Sequence, residues 1–157
     1  MKIHFWSVGK SHDSYIKEGV ETFTKRISHY YPVEWKYFSI SKQKNSLSQN
    51  ELKFQESIPV LNSLEESDIL VALDEKGKQW YSEDIAEFIQ QSANQSTRNI
   101  IFLIGGAFGL HESILKRANI TWSLSNLVFP HQLVRLILAE QIYRACTIIR
   151  NEKYHHS

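Results

Sequence analysis

Three short stretches carry residue types that can do chemistry. Gly105-Gly106-Ala107-Phe108-Gly109 follows an apolar run, Ile100–Ile104, and precedes a helical pattern. Glycines at such a place let the backbone turn with φ > 0 and let a ligand approach the main chain closely. The stretch is neither the G-x-G-x-x-G of dinucleotide sites nor the G-K-[ST] of a phosphate loop. On spacing alone, a plain strand-to-helix turn with no ligand is an equal reading. Asp74-Glu75-Lys76-Gly77 also follows an apolar run. Its acids suit a ribose or an amine, and a solvated turn is the plainer account. Phe129-Pro130-His131 joins a rigid turn to a helix start, where proline loses no N–H partner. Simple helix initiation would explain it as well.

The chain's C-terminal part adds cations and aromatics. Arg135, Arg144 and Arg150 lie on the last helical stretch, and Lys153, Tyr154, His155 and His156 follow it. Arg135 and Arg144 are nine residues apart, so on a helix they face different ways. A tail of this kind can clamp a phosphate and stack a base; a frayed, solvated terminus is the competing reading. The seven histidines show no metal-ligand spacing, and no metal is expected. Neither a Ser-His-Asp nor a Cys-His arrangement can be argued from spacing. Cys146, the one cysteine, sits in an apolar helical run and reads as buried.

Elements must hold these stretches in place. Lys2–Val8 reads as a strand, then Asp13 or Ser14 caps a helix to about Tyr30, with Ile16, Val20, Phe23 and Ile27 on one face. Val33–Ile40 is β-like, and the polar Ser41–Asn50 reads as a mobile loop. Glu51–Leu64 reads as a helix interrupted or restarted near Pro59. Asp68–Asp74 is a continuous apolar run between acids, the pattern of a buried parallel strand. Ser82 caps a helix to about Ala93; Ile100–Ile104 and Thr121–Leu124 are strands. His131–Arg150 is the longest helix, with Leu133, Leu136, Ile137, Glu140, Tyr143, Arg144 and Thr147 recurring at three and four. Strands alternating with helices imply a mainly parallel sheet covered on both faces. Gly105–Gly109 and Leu124–Pro130 then follow the carboxyl ends of two strands, where open α/β sheets bind ligands.

Composition sets the class. The chain has 157 residues, 42% apolar and 22% charged, which suits one globular domain over 1–157. The net charge of +1 neither demands nor forbids a nucleic-acid partner, so an RNA-binding protein of this charge must cluster its cations. No apolar run reaches the roughly 18 residues of a membrane span. MKIHFWSVGK lacks a signal peptide's apolar segment, and a cytoplasmic, membrane-free protein is expected.

Taken together, VALDEKG (71–77), FLIGGAFGL (102–110) and SLSNLVFPHQLVRLILAEQIYRA (123–145), with a terminal Tyr-His pair, resemble the RlmH family of SPOUT-class methyltransferases. The resemblance spans essentially the whole chain. It implies an α/β fold of the SPOUT type, a mostly parallel sheet flanked by helices with a C-terminal trefoil knot. Composition and periodicity give no sign of the knot, which breaks the usual rule against threaded chains. It further implies S-adenosylmethionine as methyl donor, N3 of a pseudouridine in helix 69 of 23S ribosomal RNA as acceptor, the assembled ribosome as partner, and a homodimer. In that dimer the tail of one subunit helps complete the site of the other.

Carried over by motif, the resemblance makes Leu73, Gly105, Leu124, Ser125, Asn126, Leu127, Val128 and Phe129 the donor-binding residues. Arg144, Tyr154 and His155 are those presented to the RNA, with His155 a candidate general base. His131 and Arg135 follow the donor loop in the matching motif. Trp80-Tyr81 and Lys153 depart from the family pattern without removing a donor-binding position. Three other functions compete: a knot methyltransferase acting on transfer RNA, a non-catalytic ribosome-binding factor that keeps the donor pocket, and a Rossmann-like nucleotide binder. The absent G-x-G-x-x-G argues against the last.

Overall fold

The structure is a computed structural model that describes residues 1–39 and 47–154. Among the described residues, five strands and five helices alternate. β1 (Lys2–Val8), β2 (Val33–Phe38), β3 (Ile69–Gln79), β4 (Asn99–Ile104) and β5 (Ile120–Ser123) form one sheet in the order β2-β1-β4-β3-β5. Every pairing in it is parallel. The interior strands are apolar on both faces, as burial by helices on both sides requires. Ile3, Phe5, Val71, Ile100, Phe102, Ile104 and Trp122 look toward one core cluster. Trp6, Val8, Leu70, Ala72, Ile101 and Leu103 look toward the other.

On the first face pack α1 (Ser14–Ile27), α3 (Ser82–Asn94) and α5 (His131–Ile149). On the second lie α2 (Gln49–Leu61) and α4 (Glu112–Arg117), through residues such as Val60 and Ile114. α5 runs between α1 and α3. A Cβ on Gly19 would lie 2.8 Å from Leu136 Cδ1, so the glycine sets how closely α1 and α5 approach.

Several expected boundaries shift, each for a physical reason. Asp13 is the N-cap of α1 but makes no side-chain cap bond; its backbone N–H donates to Gln132 Oε1 at 3.0 Å instead. α1 stops at Ile27, and Tyr30 and Tyr31 follow in turns bonded back to the Ile27 carbonyl. Gln49 and Asn50 belong to α2, not to a loop, because Ser48 and Glu51 form a reciprocal capping box. Residues 41–46 of the expected mobile loop, like Ile40 of the second strand, lie outside the described residues. α2 runs unbroken through Pro59 in its last turn, although the proline removes the N–H that would bond the Gln55 carbonyl. Ser82 is not a cap: Tyr81 holds that position, its N–H donating to Asp84 Oδ2 at 2.8 Å. The Ser82 hydroxyl donates instead to Gln141 of α5 at 2.7 Å.

Two corrections matter more for function. β3 does not end at Asp74 but continues to Gln79 after a bulge: Leu73 and Lys78 both pair with Trp122. β5 begins at Ile120 and stops at Ser123, so Leu124 belongs to the following loop. The buried stripe of α5 is also not the one expected. Arg135, Leu138, Ala139, Ile142, Ala145 and Cys146 are buried, whereas Leu133, Ile137, Glu140 and Arg144 are only half-buried. The helix is apolar nearly all round, so periodicity alone could not choose its inner face.

Candidate methyl-donor site and C-terminal cluster

The carboxyl ends of β3, β4 and β5 open into a cavity of about 630 Å³. Leu73, Gly105 and all six residues from Leu124 to Phe129 line it, joined by Asp74, Glu75, Trp122, His131 and Val134. The eight donor-site residues named from the sequence therefore surround one space. Register explains the convergence: Leu73 pairs with Ile104 on one side and with Trp122 on the other.

Close backbone approach shapes two walls. A Cβ on Gly105 would lie 2.9 Å from the Gly109 carbonyl carbon, and Gly106 bridges Gly109 across the same turn. Gly109 itself has φ +82°, a left-handed backbone that glycine adopts without strain. At the bulge, a Cβ on Gly77 would lie 2.7 Å from the backbone of Thr121 and Trp122. The bulge can lie against β5 only because that side chain is absent.

Side-chain hydrogen bonds hold the loop after β5. The Ser123 hydroxyl donates to the Ser125 carbonyl at 3.0 Å, and the Ser125 hydroxyl accepts from the Leu127 N–H at 2.9 Å. Gln79, at the end of β3, donates to Asn126 Oδ1 at 2.8 Å. Leu127 and Val128 stay largely exposed. Pro130 (φ −54°) caps α5, and His131 starts it. Trp122 Nε1 is buried at the cavity wall with no hydrogen-bond partner among the described residues.

α5 is anchored behind this loop by Arg135, which is fully buried. Its Nε donates to Ser7 Oγ at 3.1 Å and Nη1 to Gln132 Oε1 at 3.4 Å, and the guanidinium lies over the Tyr37 ring. Burial and then the Arg135 charge push the neighbouring His12 down to about 4. His12 Nε2 and the Tyr37 hydroxyl share a hydrogen bond of 2.7 Å. The motif neighbour Arg135 thus acts inside the fold and not on the cavity wall.

A second constellation forms at the other end of α5. Arg144 donates to Glu140 Oε1 from Nε at 3.1 Å and from Nη2 at 2.7 Å, and the Tyr154 hydroxyl donates to the same oxygen at 3.2 Å. The Arg144 guanidinium lies over the Tyr154 ring, which packs edge-on against Tyr143. Burial first, then Glu140, pushes the Tyr154 hydroxyl above its ordinary range. The tail is therefore tied down through Tyr154, and His155 lies outside the described residues. Arg144 and Tyr154 come together but do not reach the cavity of their own chain. His131 and Arg144 are 13 residues apart on one helix, about 20 Å along its axis at about 1.5 Å per residue.

A family described as "Predicted SPOUT methyltransferase" matches residues 1–155. The chain belongs to the SPOUT methyltransferase family. Similar curated proteins cover it end to end. The ribosomal RNA large subunit methyltransferase H of Cytophaga hutchinsonii is 46% identical over 99% of this chain and 100% of its own. The proteins of the same name from Desulfotalea psychrophila and Christiangramia forsetii are 43% and 38% identical, each over 99% of both chains. The cavity of this SPOUT methyltransferase suits a nucleoside-containing donor in size, since small-molecule sites run from about 300 to 1,000 Å³. Its glycine turn also leaves main chain accessible, and a Cβ on Gly109 would meet nothing within 4 Å.

Two residues that sequence reasoning missed are Glu140, which holds Arg144, and Lys53, on the cavity wall. Glu140 was visible only as a helix-face residue, though its i, i+4 spacing to Arg144 was a signal. Lys53 lines the cavity from α2, and nothing local in the sequence links α2 to the glycine turn.

Proposed function

We propose that residues 1–157 act as one S-adenosylmethionine-dependent methyltransferase domain that modifies large-subunit ribosomal RNA, at N3 of a pseudouridine in helix 69 of the 23S molecule within the ribosome. The observation that carries this reading is the convergence of Leu73, Gly105 and Leu124–Phe129 on one cavity in a chain of this family. The names of the relatives supply the class of RNA. When bound, S-adenosylmethionine supplies a methyl group on a sulfonium. Leu73 and the loop Leu124–Phe129 would hold the adenosine. The Gly105 turn admits the donor close to main chain. Catalysis then rests largely on positioning.

N3 of pseudouridine is weakly acidic, and a cation that favours its anion makes it nucleophilic. Arg144, oriented by Glu140 and stacked on Tyr154, is assigned that part. His155 takes the N3 proton. The length of α5 separates Arg144 and Tyr154 from the cavity of their own chain, which supports a homodimer in which the tail of one copy serves the cavity of the other. The knotted C-terminal path that the family resemblance implies is part of the same reading.

The test uses purified protein, methyl-labelled S-adenosylmethionine, and ribosomes from a strain lacking the modification. Label in a helix 69 pseudouridine of assembled ribosomes, and none in free RNA, is the expected result. Label in transfer RNA, or donor binding without transfer to any ribosomal particle, would overturn it. Substituting His155→Ala should cut turnover while leaving donor affinity nearly intact. Loss of donor binding in that variant would remove His155 from the role of base.

A further inference from the structure

The donor cavity divides its charges. Asp74 and Glu75 stand at the β3 side, in the bulge, with Lys76 beside them. The other lysine among the described lining residues is Lys53, half-buried on α2, across the sheet edge beside the glycine turn. α2 is seated firmly there. Glu56, one helical turn beyond Lys53, packs so closely on the turn that a Cβ on Gly106 would lie 2.8 Å from its Oε2. A narrow cleft bounded by Lys53, Glu56, Gly109 and His111 continues that contact. The Lys53 side chain makes no ion pair or hydrogen bond among the described residues. A half-buried lysine whose ammonium has no partner among the described residues, on the wall of a ligand cavity, suits an anionic group of the ligand.

S-adenosylmethionine has one such group, the carboxylate of its methionyl arm. We propose that Lys53 binds this carboxylate, so that the methionyl arm lies along the glycine turn toward α2, away from Asp74 and Glu75. The inference rests on the donor reading above and extends it to a specificity-determining residue. The opposite placement would set the carboxylate against the two acids of the bulge, whereas near Lys53 the one acid is Glu56, which is already engaged. The lysine would also make the site select donors that keep the carboxylate over those that have lost it.

Calorimetry with the full chain tests this, using S-adenosylmethionine and decarboxylated S-adenosylmethionine as paired probes. Unsubstituted protein should bind the carboxylated form about tenfold more tightly, the scale of a part-exposed charge-assisted hydrogen bond. Lys53→Ala should lose about tenfold for S-adenosylmethionine and little for the decarboxylated form, removing the preference. Lys53→Arg should retain most of it, and Lys25→Ala, at an exposed position of α1 away from the cavity, should leave both affinities unchanged. An equal loss for both ligands in Lys53→Ala, or no loss, would overturn the assignment, and thermal melting of each variant separates a folding defect from either. Failure of the unsubstituted protein to bind either ligand would instead overturn the donor reading itself.

Discussion

Arg144 is poised by what surrounds it. One oxygen of Glu140 accepts from both Arg144 Nε and Nη2 and from the Tyr154 hydroxyl, which fixes the plane of the guanidinium. Arg144→Ala is expected to lower methyl transfer by about a hundredfold, the scale of losing one preorganised charge, with donor affinity unchanged by calorimetry. Arg144→Lys should recover little, because an ammonium lacks the planar fork that Glu140 and Tyr154 orient. His12 makes a different prediction. Its folded value near 4 lies below the 6.5 of an exposed histidine, so the unfolded chain binds more protons between those values. The contribution of His12 to stability is complete above about pH 6.5 and is lost as pH falls toward 4. Urea unfolding at pH 7 and pH 5 should therefore show a smaller drop for His12→Asn than for the unsubstituted protein.

Elements set how these residues can be used. The bulge of β3 brings Asp74 and Glu75 to the cavity and lets Gln79 hold Asn126 of the donor loop. Gly77 makes this contact with β5 feasible, since a Cβ there would meet backbone, which cannot rotate away. Gly77→Ala should cost about 1–3 kcal/mol by overpacking, read from thermal or urea unfolding. It should also weaken donor binding, because β5 carries the loop from Leu124 to Phe129. A Gly77→Ala protein of unchanged stability would show that the bulge can shift freely. α5 couples the two ends of the site: Gln132 and Arg135 tie its first turns to Asp13 and Ser7, and Arg144 lies two and a half turns further on. Arg135→Ala should cost about 2–4 kcal/mol, for the lost volume and the stranded partners together.

At the scale of the whole molecule, the separation of cavity and Arg144 along α5 is the ground for the proposed dimer. The half-buried stripe Leu133, Ile137, Glu140 and Arg144 runs along the exposed side of α5 between α1 and α3, a fitting surface for a second copy. Complementation tests this directly. A variant with a damaged donor turn, Gly105→Val, and one with a damaged tail cluster, Arg144→Ala, should each be nearly inactive. Mixed in equal amounts and allowed to exchange subunits, they should recover about a quarter of full activity, since half of the dimers then carry one intact site of two. No recovery, with exchange verified, would mean that each chain completes its own site.

How much of this was readable beforehand differs by residue. The alternation of five strands with five helices follows from hydrophobic runs and breaks that are local in the chain. The apolar runs around Leu70–Ala72 and Ile100–Ile104 fit interior parallel strands, and both are. The three stretches at the cavity carry local signals, glycines, a rigid proline turn and acids at strand ends, but those signals alone left a plain turn as good a reading, and the family resemblance singled the stretches out. Four matters belonged to tertiary structure alone. The inner face of α5 was decided by the α1 and α3 flanking it, since an all-round apolar helix carries no directional signal. The continuation of β3 beyond Asp74 depended on backbone contact between Gly77 and Thr121, 44 residues away. Lys53 joined the cavity only because α2 packs on the glycine turn, a contact between segments about 50 residues apart. The distance between Arg144 and the cavity came from the geometry of a straight helix. Local patterns determine which elements form and which turns are able to bind; long-range packing decides which side chains meet there, because such contacts leave no periodic trace in the chain.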